Sequence, residues 1–153
     1  MQEKDTNELD KILARAHSSD YESFLEENKD SILSETNDFT VYMKQKFKEK
    51  NVTQRWVFIK ADIPEKYGYK ILNGEKRTVR RDVIIRICYA AGFDLRETNR
   101  ALRKYKMPEL YAKDKRDALI ILNINNRTGS VLDLNEQLMK YNLKALQTSG
   151  VQD

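Results

Sequence analysis

The chain has 153 residues, enough for one domain, or one small domain with an appendage, around a real core. Its single cysteine, Cys88, excludes an internal disulfide framework and fits a reducing cytoplasm. No run of about 18 apolar residues is present to span a membrane, and the start MQEKDTNELD lacks the apolar segment of a signal peptide. The net charge of +4 conceals an acidic stretch, residues 1–38 at −7 (11 acidic, 4 basic), and a basic remainder, residues 39–153 at +11. That balance fits a polyanion-binding body with an acidic arm, or ordinary solvated helices of uneven charge.

Five glycines, two prolines and 34% charged residues favour helices joined by short loops. In the acidic arm, Leu9, Ile12, Leu13 and Ala16 fall on one helix face. Ser19 or Asp20 can cap a second helix with Tyr21, Phe24, Leu25, Ile32 and Leu33 as its apolar residues. A helix over residues 39–50 follows. Then comes the most informative stretch, TQRWVFIKADIPEKYGYKILNG, from Thr53 to Gly74. Thr53 is a good N-cap, Val57, Phe58 and Ala61 recur at helical spacing, and Asp62 sits where the chain must turn. Ile63 anchors the turn, Pro64 suits a first helical position, Ile71 and Leu72 give the second helix an apolar side, and Gly74 ends it. Two short helices joined this tightly form the helix-turn-helix pattern, whose second helix can lie in a DNA major groove.

A helix over residues 80–91 comes next. Cys88 lies in its apolar run and reads as a buried structural thiol. Beyond it the sequence repeats: Thr98–Leu110 aligns with Leu134–Leu146, matching Asn99/Asn135, Leu102/Leu138, Lys104/Lys140, Tyr105/Tyr141 and Leu110/Leu146 at an offset of 36. Arg81-Asp82 and Arg116-Asp117 match at 35. Each unit reads as helix, short loop, helix and a Tyr-x-x-x-x-Leu exit, packed as a compact bundle, unless two amphipathic helices merely look alike. Residues 118–124 are β-rich, but the repeat argues for a helix there. Asn125–Gly129 forms a loop, Ser130 can cap the last helix, and the tail from Gln147 is polar.

At Thr53-Gln54, Asp62-Ile63-Pro64 and Asn73-Gly74-Glu75-Lys76-Arg77 the chain resembles the phage-repressor (XRE-type, lambda-repressor-like) family of DNA-binding domains. That family opens its second helix with Thr/Ser-Gln, turns with Gly-Val/Ile-Ser and closes its third helix with Asn/Ser-Gly and a basic run. The resemblance covers residues 39–102. The wider chain, with YGYKILNGEKR and two Arg-Asp-apolar segments, looks like helix-turn-helix regulators common in low-GC Gram-positive bacteria. Three positions depart: Asp62 for the turn glycine, Phe58 for a small alanine and Gly68 for a branched apolar residue. Gly68 costs about 1 kcal/mol in a helix interior, and the Phe58 ring is expected to fill its space. Trp56 stands where the family is polar, so it is either covered by the N-terminal helices or a second subunit, or it extends the core.

The resemblance implies an all-α, lambda-repressor-like helix-turn-helix bundle, to which the periodicity adds an N-terminal helical arm and the repeat a C-terminal repeated helical hairpin. The expected divisions are an acidic arm at 1–38, a DNA-binding domain at 39–105, a hairpin at 106–146 and a tail at 147–153, with either the hairpin or the arm holding a dimer together. The exposed face of the third helix would present Glu65, Lys66, Tyr69, Lys70 and Asn73 to base edges. Glu65 equally suits the helix N-terminus as a dipole partner, and Tyr67 reads as packing inward. Thr53, Gln54, Lys76, Arg77 and Arg80 would meet phosphates, while Arg81 either joins them or pairs with a neighbouring helix as its mate Arg116 would.

Nothing points to catalysis, a cofactor or a metal. His17 is the only histidine and reads as an exposed helix end, and no metal-ligand spacing, Gly-rich phosphate loop, G-x-S-x-G or CxxC occurs. The expectation is a cytoplasmic, sequence-specific DNA-binding regulator of bacterial or mobile-element origin. It would be a repressor acting on double-stranded DNA as a homodimer. The rival expectation is a protein-interaction module, antitoxin-like or an adaptor, that uses the acidic arm for a protein partner.

Overall fold

The computed structural model describes residues 4–29, 38–127 and 129–148. The described residues contain helices and no strand, so the protein is all-α. The helices are α1 (Thr6–Arg15), α2 (Tyr21–Glu27), α3 (Asp38–Glu49), α4 (Gln54–Ala61), α5 (Glu65–Asn73), α6 (Arg81–Ala90), α7 (Leu95–Lys104), α8 (Lys115–Asn126) and α9 (Val131–Lys140). The chain divides into two compact units, residues 1–35 and residues 36–153.

In the first unit Asp5 caps α1 by accepting from the Glu8 N–H at 2.8 Å, and α1 buries no residue. A 3₁₀ turn, Ser18–Asp20, leads into α2. The Asp20 carboxylate does not cap α2 as expected, because it accepts from the His17 N–H at 2.9 Å and closes the preceding turn. Phe24 and Asn28 are buried, and Asn28 donates to the Phe24 carbonyl at 2.9 Å. Ile32 and Leu33 lie outside the described residues.

In the second unit one apolar core runs from Phe39 on α3 to Leu146 beyond α9. Helix α6 is its axis: Val83 to Tyr89 are all buried, and α6 packs against α4 and α7. Residues 118–124 lie within α8, as the repeat argues against their β propensity. Cys88 is fully buried, and burial pushes its thiol well above the usual range.

Helices α4 and α5 are joined by only three residues. Thr53 caps α4 by accepting from the Trp56 N–H at 3.1 Å. Asp62 takes the left-handed conformation (φ 54°, ψ 51°) and Ile63 donates back to the Phe58 carbonyl at 3.0 Å, so the turn closes the last open groups of α4. Ile63 is buried and pins the turn to the core. The α5 helix ends where Gly74 turns left-handed (φ 80°) and Lys76 donates to the Lys70 carbonyl at 3.1 Å.

The departures at Phe58 and Gly68 answer each other. A Cβ built on Gly68 would lie 2.6 Å from Phe58 Cδ1 and 2.7 Å from Cγ, so the ring occupies the space a side chain would need. The same ring meets Tyr69 edge-on, with centroids 5.2 Å apart.

The sequence repeat is a repeat of contacts. The Leu110 N–H donates to Asn99 Oδ1 at 2.9 Å, and the Leu146 N–H donates to Asn135 Oδ1 at 2.7 Å. Lys106 and Asn142, also 36 apart, are both left-handed at the ends of α7 and α9. The Arg-Asp dipeptides cross over. Arg81 pairs with Asp117 at 2.5 Å and Arg116 pairs with Asp82 at 2.9 Å. Asp117 also accepts from the Tyr111 N–H, and Asp82 from the Gln147 N–H, each at 2.9 Å. Arg81 donates to the carbonyls of Pro108 and Glu109, while Arg116 donates to those of Lys144 and Ala145. Exchanging the two units maps this network onto itself, the signature of an internal two-fold arrangement.

Candidate nucleic-acid interface

Helix α5 buries one side and shows the other. Gly68, Ile71 and Leu72 face the core, and Thr40 on α3 donates to the Leu72 carbonyl at 2.6 Å, fixing the end of α5. Lys66, Lys70 and Asn73 are exposed on the opposite side. Glu65 and Tyr69 stand apart from them. Both are half-buried, the Tyr69 hydroxyl donates to Glu65 Oε1 at 3.3 Å, and Arg55 Nε lies 3.9 Å from the same oxygen. Partial burial, then the Glu65 charge, pushes the Tyr69 phenol up. Tyr67 is half-buried against the core, with Lys76 Nζ 5.1 Å from its ring centroid.

The five residues expected at phosphates differ in how far they are committed elsewhere. Thr53 spends its hydroxyl as the cap of α4, and Gln54 is half-buried at the first position of that helix. Arg77 lies over the Tyr105 ring, 4.3 Å from its centroid, and donates to the Tyr105 carbonyl. The Tyr105 hydroxyl in turn accepts from the Thr78 N–H at 2.9 Å. Arg77 therefore braces the segment after α5 against the end of α7. Arg80 donates to Gln147 Oε1 at 3.4 Å. Of the two readings open for Arg81, the structure has the ion pair.

Two contributors were missed in the sequence. Arg55 reaches Glu65 across two helices, which no local spacing reveals. Arg86, 3% exposed, donates to the carbonyls of Ala61 at 2.9 Å and Leu146 at 2.7 Å. It thereby ties the end of α4 to the chain's exit. A buried arginine in an apolar run could have flagged such a bridge, but not its two acceptors.

Trp56 is 45% exposed and outside the core cluster, so it does not extend the core. It borders a crevice of about 270 Å³ lined by Lys60, Tyr89, Ala90, Gly129, Ser130 and Val131, with Lys60 Nζ 5.8 Å from its ring. His17 is exposed, and no group of three or more His, Cys, Asp or Glu that could hold a metal occurs among the described residues. No described helix is long and apolar enough to cross a membrane. No protein-family model matches the chain, and comparison with curated proteins and with solved structures yields no match.

Proposed function

We propose that the protein is a cytoplasmic, sequence-specific DNA-binding regulator acting as a repressor, with α4, the Asp62–Pro64 turn and α5 as its helix-turn-helix. One observation carries this reading: α5 is short, delivered by a tight closed turn, buried along one side and lined with Lys66, Lys70 and Asn73 along the other. Lysine donates to guanine O6 and N7, and asparagine pairs with adenine N6 and N7. Lys76 and the N-terminal end of α4 would meet phosphates, where helix N-termini favour anions. The net charge of +11 on residues 39–153 supports a polyanion partner.

The test is binding to random duplex pools by anisotropy across a salt series, with the DNA upstream of the protein's own gene as a second target. Enrichment of a palindromic site, with affinity falling steeply as salt rises, is the expected result. Absence of binding at low salt, both for the full chain and for residues 36–153, overturns the proposal. A second reading, a protein-interaction module on the same fold, is favoured by the commitment of Glu65 to Tyr69 and of Arg77 to Tyr105. That commitment leaves fewer groups for base edges and for phosphates.

A further inference from the structure

The crevice beside Trp56 is assembled by three helices that meet at their ends. Helix α4 contributes Trp56 and Lys60, at i and i+4, so both side chains stand on one side of it. Tyr89 and Ala90 come from the end of α6, and Val131 from the start of α9. Tyr89 and Val131 are buried, whereas Trp56 is 45% exposed although its neighbours Val57 and Phe58 are fully buried. The space of about 270 Å³ falls at the small end of ligand clefts, with room for a one-ring molecule. Charge sits at one place in the lining. Lys60 Nζ lies 5.8 Å from the Trp56 ring centroid and forms no ion pair among the described residues. The start of α9 is already neutralised, because the Asp133 carboxylate accepts from the Ser130 N–H at 2.9 Å and from its hydroxyl at 3.1 Å. Arg127, close by in the chain, is engaged by the carbonyls of Gly92 and Phe93. Lys60 is therefore the cation that the crevice offers to a guest.

We propose that this crevice binds a small aromatic carboxylate, its ring against Trp56 and the wall of Tyr89, Ala90 and Val131, its acid group on the Lys60 ammonium. Aromatic rings stack offset or edge-on against one another, and an ammonium bonds a carboxylate more strongly than any neutral acceptor. The lining selects for both halves of such a molecule. An aliphatic acid would leave the tryptophan uncovered, and a neutral ring would leave the ammonium unmet. A ligand here touches α4, from which the Asp62 turn delivers α5, and the first turn of α9 at the same time. The site needs no DNA, so it goes beyond the DNA-binding reading and does not depend on it.

Trp56 is the only tryptophan of the chain, so its fluorescence reports on the crevice directly. The full chain is titrated with benzoate and phenylacetate, and with benzamide and acetate, which lack the charge and the ring respectively. The expected result is a saturable change with one of the two acids, half-complete at or below about 1 mM, and binding about tenfold weaker or more for benzamide and acetate. Lys60→Met keeps the length of the side chain and removes its charge, and should bring the acid down to the level of benzamide. Ala90→Leu should fill the crevice and abolish saturation, with circular dichroism confirming that the helices are intact. Lys60 is exposed, so its substitution tests the site even where Ala90→Leu does not fold. A change that never saturates overturns the proposal, as does equal binding of benzoate and benzamide or an acid affinity indifferent to Lys60→Met. Saturation that survives in a folded Ala90→Leu protein overturns it too, because the acid then sits elsewhere.

Discussion

At the residue scale, the packing of Phe58 on Gly68 makes a sharp prediction. Alanine is normally about 1 kcal/mol better than glycine inside a helix. Here the added methyl would lie well inside van der Waals contact with the Phe58 ring, and overpacking costs about 1–3 kcal/mol. Gly68→Ala should therefore lower the urea midpoint, against the helix-propensity trend, and Phe58→Leu in the same chain should recover part of the loss. A Gly68→Ala protein more stable than the parent would contradict this account. The exchange of a large and a small residue was legible in the sequence because both departures fell within one motif. The role of Tyr69 was not, since its hydroxyl bond to Glu65 and its edge contact with Phe58 depend on how α5 is rotated.

Glu97 connects the residue to the element. It closes the cap of α7 with Asp94 and reaches Lys46 at 3.2 Å and Lys50 at 2.9 Å on α3. Burial alone would raise its carboxyl, but the Asp94 N–H and the two lysines outweigh it, so the group titrates below the ordinary glutamate value of 4.5. A depressed carboxylate contributes stability that is complete above the unfolded value. That stability is lost as pH falls through the folded value. Glu97→Gln should flatten part of the loss of stability below pH 4.5 seen in urea midpoints against pH. An unchanged acid slope would remove Glu97 from the account. The crossed Arg-Asp pairs act at the same scale. Asp82 and Asp117 are 13% and 5% exposed, and removing one partner of a buried pair costs about 3–5 kcal/mol, less here because the arginines keep partial contact with water. Arg116→Ala should thus destabilise the protein by about 2 kcal/mol or more, read from its urea midpoint. The repeat told which dipeptides were equivalent, but not that each seeks the other's aspartate. A linear alignment shows likeness, and pairing belongs to the third dimension.

For the whole molecule, the helices themselves were readable: caps at Thr53 and Ser130, the stop at Gly74 and the turn at Asp62 are local chemistry written in adjacent residues. What lay beyond reach was the assignment of cations. Lys66 and Lys70 stay on the surface, Arg77 is exposed yet tied to the Tyr105 carbonyl, and Arg81 and Arg86 are drawn into the fold by carbonyls and carboxylates far away in the chain. If α5 reads DNA, Lys66→Ala with Lys70→Ala should abolish preference among duplexes while leaving the thermal midpoint unchanged. Lys76→Ala should weaken all duplexes alike and reduce the salt slope by about 1. Sequence preference untouched by the double substitution would show that α5 is not the reader.

The crossed clasp has a consequence for how the two repeats hold together. Arg81 meeting Asp117 while Arg116 meets Asp82 is the bonding of a symmetric pair, in which each member gives its arginine to the other and takes the other's in return. Two separate copies of a single hairpin would make the same four-residue ring with no alteration. Severing the chain between α7 and α8 would remove neither ion pair.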